Sequence, residues 1–157
     1  MNCIVHHIFS EEKEEFAMIQ LIVGEKGKGK TKHLLDKVNS AAKSVQGNIV
    51  YLDKNSKHMY ELKNRIRLIN ASEYPITSTG EFVGFICGIV SQDHDLEEMY
   101  LDSFLDVAYL NDHKEIEDVL SKLEKIGDQF DVNFIISMSV TESELSGDFR
   151  SKIIVSL

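Results

Sequence analysis

Gly24-Glu25-Lys26-Gly27-Lys28-Gly29-Lys30-Thr31 is the stretch of this sequence that decides its fold. It fits the pattern G-x-x-x-x-G-K-[ST], which is typical of a loop that binds phosphate groups. The apolar run Ile19-Gln20-Leu21-Ile22-Val23 precedes it and predicts a buried strand. Downstream, apolar residues recur at helical spacing, at Leu34, Leu35, Val38, Ala42 and Val45. A strand before this loop and a helix after it are the context that supports the motif.

The residue types of the loop suit a polyphosphate. Gly24 and Gly29 let the backbone turn tightly and approach a phosphate with no Cβ in the way. Backbone N–H groups then point into the loop, and the positive end of the following helix adds to their field. We predict that Lys30 reaches the β- and γ-phosphates and that the Thr31 hydroxyl binds Mg²⁺. The predicted nucleotide-binding residues are Gly24, Glu25, Lys26, Gly27, Lys28, Gly29, Lys30, Thr31 and Lys32.

Charge is unevenly distributed along the 157 residues. The net charge of −9 argues against a protein that binds nucleic acid through its overall field. Residues 24–71 nevertheless hold 11 Lys/Arg against 4 Asp/Glu, whereas residues 72–157 hold 5 against 18. The basic excess therefore lies in the half that contains the loop. It suits a nucleoside triphosphate ligand, although a solvated basic face would give the same excess of Lys and Arg.

Several features favour a cytoplasmic protein. Cys3 and Cys87 lie far apart and form no C-x-x-C pair, so neither a zinc site nor a disulfide framework is indicated. The first residues lack the basic lead of a signal peptide. The apolar run at 82–90 is shorter than the ~18 residues that a membrane span needs. We therefore expect no membrane span.

Residues 1–17 do not share the strand and helix pattern of the rest, so we expect one nucleotide-binding domain over 18–157. Met18 directly precedes the first predicted strand, and Lys13-Glu14-Glu15 can be encoded by a purine tract that resembles a ribosome-binding site. One hypothesis is that the natural chain begins at Met18 and that residues 1–17 are a translated leader, which we expect to be disordered. An ordinary acidic N-terminal extension is the other interpretation. Mass spectrometry of protein expressed from its own upstream DNA distinguishes the two.

Strand and helix patterns alternate along the chain. Apolar runs predict strands near 19–23, 48–53, 66–70, 98–102, 132–138 and 152–156. Helical patterns lie near 30–45, 56–63, 78–91, 103–110 and 113–129. This order predicts an α/β fold, a three-layer sandwich whose mostly parallel central sheet has about five to six strands. The 56–63 link is short for a parallel crossover, so strand 66–70 is either antiparallel or an edge addition.

The predicted helix at 78–91 is apolar nearly all round and has Gly84 and Gly88 four residues apart. Such a helix lies either deep in the core or at a protein interface. We favour the core, and we expect the glycines to allow close approach to the sheet.

A phosphate-binding loop needs a partner carboxylate at the end of a neighbouring strand, which holds Mg²⁺ through water. Asp102 and Asp53 each end an apolar run. We favour Asp102, because the strand of Asp53 follows the first helix and is peripheral in many such sheets; a solvated strand-end Asp is the simpler interpretation of either. The predicted metal ligands are Thr31 and Asp102, and the predicted catalytic residues are Lys30 and Asp102. Asp93-His94-Asp95 is disfavoured as a metal site, because no second ligand pair supports it.

These motifs resemble those of the P-loop NTPases. Gly24, Gly29, Lys30 and Thr31 match the Walker A motif, and Asp102 is similar to the Walker B aspartate. Residues 18–157 also resemble small bacterial ATP-binding proteins of the additional-strand ATPase division, in their minimal P-loop domain and their Gly-Phe-Ile-Cys-Gly segment at 84–88. This resemblance implies that strand 132–138 lies between the loop strand and the Walker B strand. It also implies that Ser137 or Ser139 senses the γ-phosphate.

The sequence departs from active members of that division. They carry a Glu after the Walker B aspartate, where this chain has Ser103. The resemblance therefore implies a Mg²⁺-dependent ATP-binding protein with weak or partner-dependent ATPase activity. No N-K-x-D motif for reading guanine is present, so ATP is preferred over GTP. The acidic and His motifs of the larger motility ATPases are also missing, so a motor role is not supported.

Two other functions remain open. A small-molecule or nucleoside kinase would use the same loop but needs lid arginines, and this chain has only Arg65, Arg67 and Arg150. A nucleotide-responsive interaction module without catalysis would act on a protein partner or as a homo-oligomer. The apolar helix and the missing Glu favour that interpretation.

Overall fold

A computed structural model of the chain describes residues 18–157. The two interpretations of residues 1–17 fall outside the described residues, and the domain boundary at Met18 stays a prediction. Among residues 18–157, no helix is both long and apolar enough to cross a membrane.

The described chain alternates strands and helices. Its strands are β1 (Ile19–Val23), β2 (Asn48–Asp53), β3 (Arg67–Asn70), β4 (Leu96–Leu101), β5 (Asn133–Met138) and β6 (Ile153–Ser156). Its α-helices are α1 (Lys30–Ala41), α2 (Thr79–Ser91), α3 (Phe104–Val107), α4 (His113–Phe130) and α5 (Gly147–Arg150). Short 3₁₀ turns lie at Met59–Glu61, Ala71–Glu73 and Glu142–Glu144.

The six strands form one sheet in the order β3-β2-β4-β5-β1-β6, with every neighbouring pair parallel. This confirms the predicted α/β fold and the position of β5 between β1 and β4. β3 lies at the edge and runs parallel to β2, so the antiparallel alternative is wrong. All the strands run in the same direction, so the loops that follow β1, β2, β4 and β5 leave the sheet on the same side, at the carboxyl-terminal ends of the strands. Parallel sheets of this kind bind their ligands on that side.

Helices cover both faces of the sheet. Ile19, Leu21 and Val23 of β1 face a core shared with α2 and α4, whereas Ile22 faces a second core that contains apolar residues of α1. In α4, Ile116, Val119, Leu120 and Leu123 are buried at the spacing of one helical face. The strands are therefore buried on both sides, which explains their continuous apolar runs.

Two predicted helices are shorter than the sequence indicated. The predicted helix at 56–63 is wrong, because only a 3₁₀ turn at Met59–Glu61 forms there. The preceding Asn55 accepts a hydrogen bond from the Lys57 N–H, a local turn that competes with a helix. The predicted helix at 103–110 shrinks to α3, because the backbone has a positive φ on either side of it, at Ser103 (52°) and Tyr109 (56°).

Helix α2 also differs from its prediction. Only Phe82, Ile86 and Val90 are buried. Gly84 and Gly88 lie on the opposite side, where an added Cβ would meet nothing within 4 Å. The expectation that they allow close approach to the sheet is wrong. A helix with apolar residues on nearly every side has no single apolar face, so its sequence could not show which face packs against the sheet.

Candidate phosphate-binding site

The loop between β1 and α1 is built on glycine backbone geometry. Gly29 directly precedes α1 with φ 91°, a conformation that residues with a Cβ rarely adopt. At Gly24, an added Cβ would lie 3.0 Å from both Cβ and O of Leu157. The two glycines predicted to shape the loop therefore occupy positions that a larger residue would strain.

Lys30 begins α1 and folds back across this loop. Its Nζ donates a hydrogen bond to the backbone oxygen of Glu25 at 2.9 Å, and the residue is only 9% exposed. Burial lowers the pKa of the Lys30 ammonium, and the nearby Asp102 carboxylate partly opposes that effect. The ammonium is thus held inside the loop.

Asp102 lies at the centre of the site. It follows β4, is 2% exposed and accepts hydrogen bonds at both carboxylate oxygens. Oδ1 accepts from the Thr31 hydroxyl at 3.3 Å, the Ser137 hydroxyl at 2.7 Å and the Ser103 N–H at 2.8 Å. Oδ2 accepts from the Tyr51 hydroxyl at 2.8 Å. The two residues predicted to bind Mg²⁺, Thr31 and Asp102, are therefore in direct contact.

Sequence reasoning missed Tyr51. It lies within the apolar run of β2, is fully buried and packs its ring parallel to that of Tyr100 at a centroid separation of 6.4 Å. Burial, followed by the charge of Asp102, raises the pKa of the Tyr51 hydroxyl, so it stays a neutral donor. No local pattern marks this role, since its partner lies 51 residues along the chain.

Asp53, the other candidate carboxylate, has different surroundings. It is 4% exposed, and its Oδ1 accepts from the N–H of Lys54 at 2.7 Å. Burial raises the pKa of Asp53, and the negative charge of Asp102 raises it further. The Thr31 hydroxyl contacts Asp102 rather than Asp53.

A cleft of about 310 Å³ opens in front of the loop. Its walls include Lys30 and Thr31, the segment that begins at Asp102, and Ser139, which follows β5. Ser137 and Ser139, the two candidates for sensing a γ-phosphate, both line the cleft. The Ser137 hydroxyl donates a hydrogen bond to Asp102. The wall also includes Asp106 of α3 and Lys54, which follows β2 and was not predicted.

The arginines expected of a kinase lid lie elsewhere. Arg65 donates through Nη1 to the backbone oxygen of Ala42 at 2.8 Å. Arg150 donates through Nε to the backbone oxygen of Leu145 at 2.8 Å. Arg67 lies on the edge strand β3. None of the three lines the cleft in the part of the chain that the structure describes.

The Asp93-His94-Asp95 segment forms a turn before β4. Both carboxylate oxygens of Asp93 accept from Nδ2 of Asn48, at 3.1 and 2.9 Å, and Oδ1 also accepts from the Asp95 N–H. Within residues 18–157, no group of three or more His, Cys, Asp or Glu side chains is arranged to hold a metal ion.

Comparison with known proteins supports the architecture. No protein-family model matches the chain, and no curated protein matches it. Among solved structures, a KaiC-like protein from the hyperthermophilic archaeon Pyrococcus horikoshii OT3 superposes with a TM-score of 0.56 at 19% identity. The chain has a P-loop NTPase fold. The match covers 78% of this chain and 62% of that chain, so this chain spans less than two thirds of its neighbour's length.

Proposed function

We propose that this chain is a Mg²⁺-dependent ATP-binding protein of the P-loop class, with weak or partner-dependent ATPase activity. The contact between the Thr31 hydroxyl and Asp102 carries the proposal, because it joins the glycine loop to a buried carboxylate 71 residues away. The role of Lys30 rests on its place in the loop, where its ammonium bonds to a backbone oxygen that a phosphate oxygen would replace.

The donor set fits Mg²⁺. Hydroxyl and carboxylate oxygens are its usual protein ligands, and phosphates and water complete its coordination. Thr31 would bind the ion directly, and Asp102 would hold it through water. When bound, the ion would neutralise charge on the phosphates. The Ser137, Ser103 and Tyr51 donors fix the Asp102 carboxylate so that it stays in place before the ion arrives.

Weak hydrolysis follows from what surrounds Asp102. The next residue is Ser103, which has no group that can accept the proton of an attacking water at neutral pH, and its N–H is bonded to Asp102. Asp106 also lines the cleft, but its carboxylate is paired with Lys54. The position of β5 between β1 and β4 supports membership of the additional-strand division. The missing N-K-x-D motif supports ATP over GTP.

One observation favours a kinase as the second candidate. A further cavity of about 290 Å³ adjoins the cleft and shares Lys54 and Asp106 with it. Tyr74, Ile76 and Tyr109 form much of its wall. A phosphate acceptor held there would lie beside the end of the phosphate cleft.

Product analysis separates the candidates. Purified protein is incubated with ATP or GTP, with and without Mg²⁺, alone and with a panel of hydroxyl-bearing phosphate acceptors. Slow ADP formation without an acceptor supports the ATPase, and turnover only with an acceptor supports the kinase. Binding without turnover indicates a nucleotide-responsive interaction module. Absence of any nucleotide binding would refute the proposal.

A further inference from the structure

Lys54 occupies a position that the motifs do not explain. It directly follows β2, which lies three strands away from the loop strand β1, and it lines the phosphate cleft together with Lys30. Its Nζ forms an ion pair with Oδ2 of Asp106 at 3.0 Å. Asp106 belongs to α3, which begins two residues after Asp102. The pair therefore joins the chain after β2 to the chain after β4 at the mouth of the cleft.

We infer that Lys54 is a specificity-determining residue that binds the terminal phosphate of a nucleoside triphosphate, and that Asp106 holds it when no triphosphate is bound. This inference rests on the proposed function, because it assigns Lys54 a part in the same site. Within the described chain, none of the three arginines lines the cleft, and Lys54 would supply the positive charge there instead.

The ion pair is suited to opening. The side chains of Lys54 and Asp106 are 47% and 65% exposed. Pairs this exposed contribute little to stability, so the lysine can leave its carboxylate at small cost. A triphosphate brings more negative charge into the cleft than the single carboxylate it would replace. The long, flexible lysine side chain can turn from one to the other without backbone movement.

The field at Lys54 keeps its charge available. The hydrogen bond and charge of Asp106 raise the pKa of the Lys54 ammonium, and Asp53 and Asp102 add to this from the ends of β2 and β4. Burial opposes these effects and is smaller than that of Asp106. Lys54 therefore stays protonated at neutral pH, whichever of the two partners it faces.

The distinction between ATP and ADP follows from position. Backbone N–H groups of the loop serve phosphates that are present in both nucleotides, and Lys30 reaches the β-phosphate of either nucleotide as well as the γ-phosphate of the triphosphate. Lys54 follows a strand three positions away from the loop strand, so we expect it to meet only the phosphate farthest from the loop. Lys54 is thus expected to strengthen the binding of the triphosphate and to leave that of the diphosphate almost unchanged.

Isothermal titration calorimetry with a non-hydrolysable ATP analogue and with ADP, each with Mg²⁺, tests this inference. Lys54→Met should weaken analogue binding about tenfold, as expected for a charge-assisted hydrogen bond at a partly exposed site, and change ADP binding less than about twofold. Asp106→Asn should strengthen analogue binding by up to about fivefold, because it releases Lys54. Lys54→Arg keeps the charge and should retain most of the preference.

Lys57→Met is the matched control. Lys57 lies three residues further on, is exposed and does not line the cleft, so its loss changes the net charge equally. It should leave both affinities unchanged. Equal weakening of analogue and ADP by Lys54→Met, or no weakening, would overturn the inference while the proposed function stands. Failure of the wild-type protein to bind either nucleotide would overturn both.

Discussion

Replacing Tyr51 with Phe removes one hydroxyl from the floor of the site and leaves the aromatic ring in place. That hydroxyl is the donor to Oδ2 of Asp102, at 2.8 Å. Both residues are buried, so water cannot take its place without rearrangement. The variant therefore isolates the contribution of a single hydrogen bond to a buried carboxylate.

The expected loss follows from the number of remaining donors. A hydrogen bond to a charged group contributes about 1.5–3 kcal/mol. Oδ1 of Asp102 keeps three donors in the variant, so we expect a loss in the lower part of that range, about 1.5–2 kcal/mol. For a chain of this size each kcal/mol shifts Tm by about 2–4 °C, so Tm should fall by about 3–8 °C.

Tyr100→Phe is the control for this measurement. Tyr100 is equally buried on the neighbouring strand, and its hydroxyl donates to Oε2 of Glu98 at 2.9 Å. Glu98 is partly exposed, so water can replace the lost donor. Urea unfolding of the wild type and both variants should show the larger loss for Tyr51→Phe. A loss for Tyr51→Phe no greater than that for Tyr100→Phe would refute the reasoning that Asp102 depends on this donor.

Three further predictions concern the metal, hydrolysis and pH. Asp102→Asn should weaken the Mg²⁺ dependence of ATP binding, whereas Asp53→Asn should change it little; calorimetry at several Mg²⁺ concentrations checks this, and the reverse result would contradict the choice of Asp102. Ser103→Glu should raise the ATPase rate, because general-base assistance contributes about 10² to 10⁴, while Ser103→Gln should not; equal rates would show that the missing carboxylate is not limiting. The pKa of the Tyr51 hydroxyl is raised by burial in the folded chain. As pH rises above about 10, this hydroxyl therefore ionises in the unfolded chain but stays protonated in the folded chain. Its stabilising contribution is therefore complete below that pH and declines above it, by about 1.4 kcal/mol per pH unit. Urea unfolding between about pH 9 and 11 should show that the free energy of unfolding declines less steeply with pH in Tyr51→Phe than in the wild type. An equally steep decline in both proteins would argue against this role of Tyr51.

The parts of the fold that the sequence predicted share one property, which is that their signal is local. The 24–31 loop carries its own spacing, and the strand before it and the helix after it have clear periods. The six predicted strands all form, with ends that shift by no more than two residues. Asp102 and Asp53 could both be named as candidates, because the carboxyl-terminal ends of the strands in a parallel sheet lie on the same side.

The parts that could not be predicted depend on contacts between distant residues. Tyr51 meets Asp102 51 residues along the chain, and Lys54 meets Asp106 52 residues along. Neither pair leaves a pattern in its own segment. The packing of helix α2 could not be predicted for another reason. A helix with apolar or small residues on every side does not reveal which face packs against the sheet.

The central claim, that this loop binds ATP, is tested most directly by the thermal stability of the wild type and of Lys30→Met with Mg·ATP. At about a hundred times its dissociation constant, a ligand stabilises the fold by ~2.7 kcal/mol. For a chain of this size that is a rise in Tm of about 5–11 °C. Methionine keeps the aliphatic part of the largely buried Lys30 but not its charge, so the variant should fold and show little rise.

Lys28→Met, an exposed lysine of the same loop, is the control and should keep most of the rise. The account predicts a Mg·ATP-dependent rise in the wild type that Lys30→Met removes and Lys28→Met retains. An equal rise in the wild type and in Lys30→Met, or no rise in the wild type, would contradict it.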